Sequence, residues 1–322
     1  MRAVWLREYG PPGVLVVEEM PVPVPQDGEA LIEVALANIT FVETQVRAGT
    51  APFPTEIPMI PGNGVGGTVR AVGPGVDDGL LGRRVITSTG GSGGYAEFVT
   101  VDAGGLIEVP DTMVLDDAVA LLADGRTATM LIATAALQRD DRVLVEAAAG
   151  GVGSLLVQLA RSAGATVIAA VGDARKVEVA RGLGADVVVN YRDADWTARV
   201  RDEVGQINVV FDGVGGEIAR SAFDLLERGG RMVRFGAASG EWAPISDEMA
   251  ADHAVTLLSI PRPTPQQARE YTEHALAEAA AGRLRPLIGQ RFPLEGAADA
   301  HAAIESRTSV GKTLLANNRE LA

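Results

Sequence analysis

The sequence predicts an α/β protein of two parts, a mostly β N-terminal half followed by a doubly wound parallel sheet with helices on both faces. Three observations predict this fold class. Residues 1–110 are rich in Val, Gly and Pro and contain short alternating apolar runs. From about residue 116, strand-like and helix-like segments alternate, which is typical of a parallel sheet. A glycine-rich turn follows an apolar strand at 143–145 and precedes a helical pattern, as in dinucleotide-binding βα units.

The N-terminal half contains three segments in which apolar and polar residues alternate, as they do along half-buried strands. These segments are residues 29–36, 67–72 and 83–87. Clusters rich in Pro, Gly and Asp separate them at residues 11–13, 25–28, 74–75 and 90–94, and such clusters are turn signals. We therefore predict a mostly β domain over this half.

The second half opens with two helical patterns, at residues 116–123 and 127–136. Strands are then predicted at 143–145, 167–171, 186–189, 209–211 and 232–235. Helices are predicted between and after them at 154–163, 174–183, 196–204 and 218–226. Two more helices at 265–281 and 297–306 precede a last strand at 312–315. Because strands and helices alternate, the strands of this half are expected to run parallel.

The glycine-rich turn reads AAAGGVG over residues 147–153. It departs from G-x-G-x-x-G in one place, because Ala148 replaces the first glycine. The backbone of Gly150, Gly151 and Val152 is expected to approach a pyrophosphate at the N-terminus of the following helix. Gly153 would allow that helix to pack close to the strand. The alternative is a tight turn between a buried strand and a buried helix, without a ligand.

Composition argues against several classes of function. The chain has 322 residues, 47% of them hydrophobic, a net charge of −14 and no cysteine. The negative charge argues against binding to nucleic acid or anionic membranes, and the lack of cysteine excludes disulfides and thiolate zinc sites. No apolar run approaches the roughly 20 residues of a membrane span, and charges interrupt the apolar N-terminus, unlike a signal peptide. We expect a cytoplasmic protein that acts on a small-molecule substrate.

Further motifs follow one another along nearly the whole chain. They are MRAVWLREYGPPGVL at the N-terminus, PGNGVGGTVRAVG at 61–73, AAAGGVG at 147–153, LGADVVVNYR at 183–192, FDGVG at 211–215, RFGAASG at 234–240 and GK at 311–312. In this order and spacing they resemble the medium-chain dehydrogenase/reductase superfamily, and within it the zinc-free quinone oxidoreductase branch, the zeta-crystallin-like proteins.

This resemblance implies three segments. They are a GroES-like catalytic domain over residues 1–117, a Rossmann nucleotide-binding domain over 118–258, and a C-terminal segment over 259–322 that returns to the catalytic domain. The active cleft is expected between the two domains. Members of the family are often dimers joined by the edge strands of their Rossmann sheets, so the resemblance also implies a homodimer.

The resemblance does not extend to the zinc site of metal-dependent relatives. The Cys and His ligands of those relatives match Thr40 and Asn63 here, and neither is a typical zinc ligand. The three histidines, His253, His274 and His301, lie outside every motif, and we interpret them as surface or helix-face residues. We therefore expect no metal. Without a Lewis acid, the favoured reaction is hydride transfer from a reduced nicotinamide to a quinone or an α,β-unsaturated carbonyl.

The segment after the second strand of the Rossmann domain bears on the choice between NADPH and NADH. An acidic residue there commonly holds the ribose 2′-hydroxyl of NAD. The resemblance places Gly172 at that position, which leaves space for a 2′-phosphate, and it matches Lys176 and Tyr191 to residues around that phosphate. Arg175 adds a second cation, although Arg175 and Lys176 are alternatively a solvated helix face. Asp173 is discordant, because it can instead hold the ribose of NADH. The prediction is NADPH, with NADH as the alternative.

The resemblance also implies the rest of the cofactor path. Thr127 is expected beside the nicotinamide, Phe235 and Gly236 behind its ring, and Val214 on the ribose side. Lys312 matches a C-terminal lysine that contacts the cofactor in the family. Each of these residues is alternatively ordinary packing.

The substrate side departs from the family, whose Asn-x-x-Asp-Thr-Tyr segment reads TFVETQ at 40–45. Ala51 replaces a tyrosine that resembles the proton-donating or carbonyl-binding residue of enoyl-thioester reductases. Thr40 and Gln45 can orient an acceptor oxygen, but neither ionises near neutral pH, so solvent is the expected proton source. They are alternatively polar lining, and Glu43 is expected to support the local backbone. Two other functions stay open, an enoyl or enone reductase of a biosynthetic pathway and a cofactor-binding protein without catalysis.

Overall fold

The computed structural model of this chain describes residues 1–317. Its strands are β1 (Arg2–Leu6), β2 (Leu15–Glu19), β3 (Glu29–Ile39), β4 (Gly64–Val72), β5 (Arg84–Ser88), β6 (Phe98–Asp102), β7 (Ile107–Glu108), β8 (Arg142–Glu146), β9 (Thr166–Val171), β10 (Val187–Asn190), β11 (Ile207–Asp212), β12 (Leu226–Arg234), β13 (Thr256–Ser259), β14 (Ile288–Pro293) and β15 (Lys312–Ala316). Its helices are α1 (Phe41–Ala48), α2 (Leu115–Ala135), α3 (Gly151–Ser162), α4 (Arg175–Gly182), α5 (Trp196–Val204), α6 (Gly216–Phe223), α7 (Asp247–Asp252), α8 (Pro265–Ala280) and α9 (Ala297–Glu305).

These elements form two compact units. The first contains Met1–Ala123 and the chain from Leu287 onward, and the second is Asp124–Pro286. The boundary after Ala123 falls inside α2, and the segment 259–286, which includes α8, lies in the second unit. The division into three functional segments at 117 and 258 stays a prediction.

The first unit is a mostly antiparallel β structure. Its seven-stranded sheet has the order β14-β15-β3-β4-β5-β7, with β6 also pairing with β3, and β1 and β2 form a separate two-stranded sheet. β3 lies at the centre because its 11 residues pair with β4, β6 and β15. Ile32 of β3, Val65 of β4 and Val85 of β5 are buried in one apolar cluster. The predicted mostly β, GroES-like fold is confirmed.

The second unit contains six parallel strands in the order β10-β9-β8-β11-β12-β13. Its strands are buried at almost every position of β8, β9 and β11, as expected of a parallel sheet that helices cover on both faces. The chain runs outward from β8 to β10 and then crosses to β11, so the order reverses between β8 and β11. Ligands of doubly wound sheets bind at the carboxyl ends of the strands beside such a switch point. The predicted doubly wound sheet is confirmed.

The region around Gly125 differs from the prediction. The separate helices expected at 116–123 and 127–136 are one continuous helix, α2, in which Leu121 and Leu131 are fully buried. A glycine inside a helix costs about 1 kcal/mol relative to alanine, and the burial of neighbouring leucines outweighs that cost. The prediction also lacked α1, α7 and six strands, which are β1, β2, β6, β7, β13 and β14.

Helix α2 is long and apolar enough to cross a membrane by length and composition, and no other helix within residues 1–317 meets both criteria. This corrects the expectation that no segment approaches a membrane span. The mean hydropathy of its best window is 1.2, and 61% of that window is buried inside the protein. The core helix of a soluble protein shows the same combination, so a single helix of this kind is weak support for a membrane protein.

Candidate functional site

The glycine-rich turn links β8 to α3 in the second unit. Ala147, not Ala148, has the positive φ of +47°, so alanine at 148 keeps an ordinary conformation. The Gly150 amide donates to the Ala147 carbonyl at 2.8 Å, and Gly150 is the N-cap of α3. A Cβ on Gly153 would lie 2.3 Å from that carbonyl oxygen, so only glycine permits this close approach of helix and strand. The first amides of α3 are therefore presented beyond the end of β8, where they can receive an anion.

Gly172 and Tyr191 lie together just beyond the ends of β9 and β10. A Cβ on Gly172 would lie 2.3 Å from the Tyr191 hydroxyl oxygen. The volume that a side chain at 172 would take is thus already occupied by the phenol. The space beside Gly172, which the sequence analysis expected to be open for a 2′-phosphate, is therefore taken by Tyr191 in this structure, and a carboxylate at residue 172 would displace that side chain.

Asp173 is bound by the helix that follows it. Its carboxylate accepts from the Arg175 amide at 2.8 Å and forms an ion pair with the Arg175 guanidinium at 2.6 Å. These hydrogen bonds hold the pKa of Asp173 well below its usual range. Arg175 thereby neutralises the residue that the sequence indicated as discordant with a 2′-phosphate.

Lys176 is half-buried at the start of α4. Burial is the largest influence and lowers its pKa, Asp173 opposes that effect, and Arg175 and Arg192 add to it. Arg192 was not identified from the sequence, although it directly follows Tyr191 in the LGADVVVNYR motif. Arg175 and Lys176 thus act on the Asp173 carboxylate, and Arg192 acts on Lys176, so three cations gather at the ends of β9 and β10, an arrangement suited to a phosphate.

Val214, Phe235 and Gly236 lie around the end of β11. The amides of Phe235 and Gly236 donate to the Asp212 carbonyl at 2.9 and 3.2 Å. The half-buried Phe235 ring lies over Gly213, and Val214 is buried in the turn that follows. The structure therefore brings together three residues that the sequence analysis placed on the nicotinamide side. Thr127 is half-buried on α2, which is a separate part of the same unit.

Two buried acids that the sequence analysis missed lie behind this turn. Glu146 ends β8 and Asp212 ends β11, and both are 0% exposed. Burial, together with the neighbouring Asp212, raises the pKa of Glu146 well above its usual value, and burial also raises that of Asp212. The sequence signal was an acidic residue directly after each of two apolar runs, Glu146 after 143–145 and Asp212 after 209–211.

The candidate substrate side lies in the first unit, where Thr40 is the N-cap of α1. The buried Glu43 carboxylate accepts from the Thr40 amide at 2.5 Å, the Thr40 hydroxyl at 3.1 Å and the Asn63 amide at 2.8 Å. Burial raises the pKa of Glu43, while these hydrogen bonds and the nearby Lys312 oppose the shift. Glu43 therefore supports the local backbone, and it joins the two positions that match zinc ligands in metal-dependent relatives.

Gln45 and Lys312 differ in how deeply they are buried in this unit. The Gln45 side chain is half-buried on α1, whereas Lys312, the first residue of β15, is only 3% exposed. The charge of Lys312 acts on Glu43. This places the lysine within reach of the residues around Thr40.

His301 lies on a helix, α9, as one of the two interpretations of the histidines allowed, but it is not a surface residue, because it is 0% exposed. Its Nε2 lies 3.0 Å from the hydroxyl of the fully buried Tyr95, which also interacts with Glu43. Burial, with Arg47 nearby, lowers the pKa of His301 to about 3. A buried polar chain therefore runs from His301 through Tyr95 to Glu43 and Thr40.

The side chains around Thr40 and Asn63 do not provide a set of metal ligands. Within residues 1–317 there is no group of three or more His, Cys, Asp and Glu side chains placed to hold a metal ion. The Thr40 hydroxyl is bonded to Glu43, and the Asn63 side chain accepts from the Ser88 hydroxyl at 2.8 Å. The residues at the matched positions therefore do not fit zinc.

Two family models match the chain. Residues 26–111 match the alcohol dehydrogenase GroES-like domain, and residues 151–279 match the zinc-binding dehydrogenase family.

Similar proteins match over nearly their full length. A quinone oxidoreductase of Pongo abelii is 31% identical, over 98% of this chain and 97% of the relative. A 2-haloacrylate reductase of a Burkholderia species is 33% identical, over 97% of this chain and 98% of the relative. The crystal structure of Escherichia coli quinone oxidoreductase complexed with NADPH has a TM-score of 0.90 at 29% identity, over 98% of this chain and 100% of that one.

Proposed function

Because this chain belongs to the medium-chain dehydrogenase/reductase superfamily, in its quinone oxidoreductase branch, we propose that it is an NADPH-dependent reductase. The family resemblance found in the sequence is confirmed by these matches. In the proposed reaction a hydride passes to a quinone or to another activated carbonyl or alkene, and no zinc takes part.

The observation that carries the choice of NADPH is the cluster of three cations in which Asp173, Arg175 and Arg192 all act on Lys176, while Arg175 pairs with Asp173. Asp173 is engaged by Arg175, so its negative charge opposes a 2′-phosphate less than the sequence alone suggests. The alternative is NADH, in which case Asp173 would accept from the ribose 2′-hydroxyl. The NADPH complex of the Escherichia coli relative supports the first choice.

NADPH supplies a hydride when bound, and the residues of this chain bind and orient the reactants. The amides of Gly151 and Val152 at the start of α3 would receive the pyrophosphate, while Val214 and Phe235 would bound the nicotinamide side. The Thr40 hydroxyl donates its hydrogen to Glu43. The lone pairs of the Thr40 oxygen can therefore accept a hydrogen bond from a hydroxyl group of the reduced product. Neither Thr40 nor Gln45 ionises near neutral pH, so water is the proposed proton source.

No zinc is included in the proposed reaction because the side chains at the matched positions are not typical zinc ligands. Thr40 and Asn63 replace the ligands of zinc-dependent relatives, and Glu43 is committed to hydrogen bonds with both. Hydride transfer to an electron-poor acceptor needs positioning more than a Lewis acid. Activity that survives exhaustive chelation would support this part, and activity restored only by added zinc would overturn it.

The acceptor is proposed as a quinone, with an enoyl or enone compound as the alternative. The quinone oxidoreductase of Pongo abelii supports the first, and the 2-haloacrylate reductase of Burkholderia supports an activated alkene. Initial rates with one para-quinone and one conjugated enone, each with NADPH, would separate them. Binding of NADPH without turnover of either acceptor would favour the third function, a cofactor-binding protein without catalysis.

Cofactor choice is tested by titrating the protein with NADPH and with NADH and following nicotinamide fluorescence. We expect NADPH to bind more tightly. Lys176→Met should weaken NADPH binding about 10- to 100-fold and NADH binding far less, because a charge-assisted hydrogen bond contributes about 1.5–3 kcal/mol. Arg181→Met is the matched control, since Arg181 lies on the same helix and pairs with Glu178. Tighter NADH binding that Asp173→Asn abolishes would identify NADH instead.

We also propose a cytoplasmic homodimer that binds neither nucleic acid nor membrane. The family resemblance implies pairing through an edge strand of the parallel sheet, whose edges are β10 and β13, and the net charge of −14 opposes polyanions. Light scattering after size exclusion would measure the dimer, and an RNA mobility shift at low salt would contradict the absence of nucleic-acid binding.

A further inference from the structure

Two fully buried acids face the switch point of the parallel sheet. Glu146 is the last residue of β8 and Asp212 the last residue of β11, and these strands are direct neighbours. Glu146 also directly precedes the glycine-rich turn at 147–153. The pair therefore lies behind both segments to which the proposed function assigns cofactor binding.

Each carboxyl group is bonded to the turn 213–216 through one of its oxygens. The Val214 amide donates to Glu146 Oε2 at 3.0 Å, and the Gly215 amide donates to Asp212 Oδ1 at 2.8 Å. Within residues 1–317, no donor reaches Glu146 Oε1 or Asp212 Oδ2. The two side chains are nevertheless within hydrogen-bonding reach of each other.

Two ionised carboxylates in this arrangement would repel each other and leave two buried oxygens without a donor. One proton placed between them removes one charge and provides the missing hydrogen bond. We propose that Glu146 and Asp212 share a single proton at neutral pH, and that this pair sets the position of the turn 213–216 for binding of the cofactor. The inference rests on the proposed function, because Val214 and Gly215 matter only if the cofactor binds beside them.

The surroundings of the pair favour the shared proton. Arg234, at the end of β12, is the cation that acts on Asp212, and burial outweighs its effect. From β9, Ala170 faces Glu146 and carries no charge. The backbone amides of residues 213–215 also act on the pair as hydrogen-bond donors. Loss of the proton would therefore push the two carboxylates apart, shift the amides of the turn, and add a negative charge beside the pyrophosphate site.

The pair acts on the cofactor by positioning the turn and touches no reacting atom. Glu146→Gln imitates the protonated state, because its amide oxygen can accept from Val214 and its NH₂ can donate to Asp212 at any pH. Asp212→Asn imitates the same state from the other side. Glu217→Gln is the matched control, because it removes the same charge from an exposed position on α6, three residues after Val214.

The test measures the dissociation constant of NADPH from about pH 7 to about pH 10 for these four proteins. In the wild type we expect an added loss of affinity, of up to about tenfold per pH unit, as the shared proton leaves. Glu146→Gln and Asp212→Asn should lack this loss and retain only the decline that deprotonation of Lys176 causes in all four proteins. Glu217→Gln should follow the wild type. Infrared spectra of the wild type at neutral pH should show a buried protonated carboxyl band that both pair variants lack.

Distinct results would overturn the two proposals. If the wild type binds NADPH but Glu146→Gln and Asp212→Asn follow its pH profile, the positioning role is wrong. If the infrared band is missing, the shared proton is wrong, whether or not the variants fold. If the wild type binds NADPH at no pH, the proposed function fails, and the positioning role fails with it.

Discussion

We predict that His301 makes the protein sensitive to acid. The ring is fully buried on α9, and its Nε2 lies 3.0 Å from the Tyr95 hydroxyl. His301→Gln is the informative substitution, because the glutamine amide can still bond to Tyr95 but does not bind a proton in this pH range. The two proteins should therefore differ in how their stability depends on pH.

The magnitude follows from two pKa values. A histidine in the unfolded chain ionises near pH 6.5, whereas burial lowers the pKa of His301 to about 3 in the folded protein. Between these values the unfolded state binds a proton that the folded state does not. The free energy of unfolding then falls by about 1.4 kcal/mol for each pH unit of acidification. Over the full window of about 3.5 pH units, the loss reaches about 5 kcal/mol.

Denaturant unfolding of both proteins between about pH 7.5 and about pH 4 would measure the effect. At neutral pH we expect His301→Gln to be less stable by about 1–3 kcal/mol, since its buried contacts are less complete. The difference should shrink as the pH falls, and the variant should become the more stable protein near about pH 5. His274→Gln, at an exposed position on α8, is the control and should follow the wild type. Parallel profiles for the wild type and His301→Gln would refute the reasoning.

Three further predictions concern single contacts. Gly153→Ala should destabilise the protein by about 1–3 kcal/mol and weaken NADPH binding, because the added Cβ would lie 2.3 Å from the Ala147 carbonyl oxygen. Gly182→Ala is the control for thermal unfolding and should be neutral or stabilising, because nothing lies within 4 Å of the added Cβ. Tyr95→Phe should lower the free energy of unfolding by about 1–3 kcal/mol, because it removes the partner of buried His301 Nε2, and an unchanged denaturation midpoint would contradict this. Glu43→Gln should lower kcat/KM for the acceptor about tenfold or more while NADPH affinity stays constant, because Glu43 holds Thr40 in place; a parallel loss of NADPH affinity would show a wider structural role.

The secondary structure could be predicted from local sequence pattern wherever the apolar residues of an element recur regularly. The predicted helix at 196–204 coincides with α5, and the strands predicted in the second half agree with β8–β12 to within a few residues except at the long start of β12. Apolar strands covered on both faces have a strong and distinctive composition. Short edge elements such as β1, β2 and β13 lack that composition, since only part of each is buried. Helix α2 was divided at Gly125 because sequence pattern cannot weigh a helix breaker against the packing that surrounds it.

The residues of the candidate site were likewise predictable where they belong to contiguous sequence and not where only strand pairing brings them together. Gly153 and Val214 were found because they belong to contiguous motifs, and Lys176 because the family resemblance matched it to a phosphate-binding residue; their roles stay proposals. Arg192 was missed because its effect depends on the approach of β10 to β9, which brings it to Lys176 across the sheet. The pair of Glu146 and Asp212 was missed for the same reason, since the two residues are far apart in sequence and meet only through the pairing of β8 with β11.

The sequence by itself determined the family, the two-part α/β architecture and the glycine-rich turn, because these depend on residues that are neighbours along the chain. Only the tertiary structure decided the burial and pairing of the polar groups. Asp173 is neutralised by Arg175, Glu43 joins Thr40 to Asn63, and His301 is buried against Tyr95. The physical reason is that charge and hydrogen bonding depend on burial and on distances of a few ångströms between residues that the fold brings together.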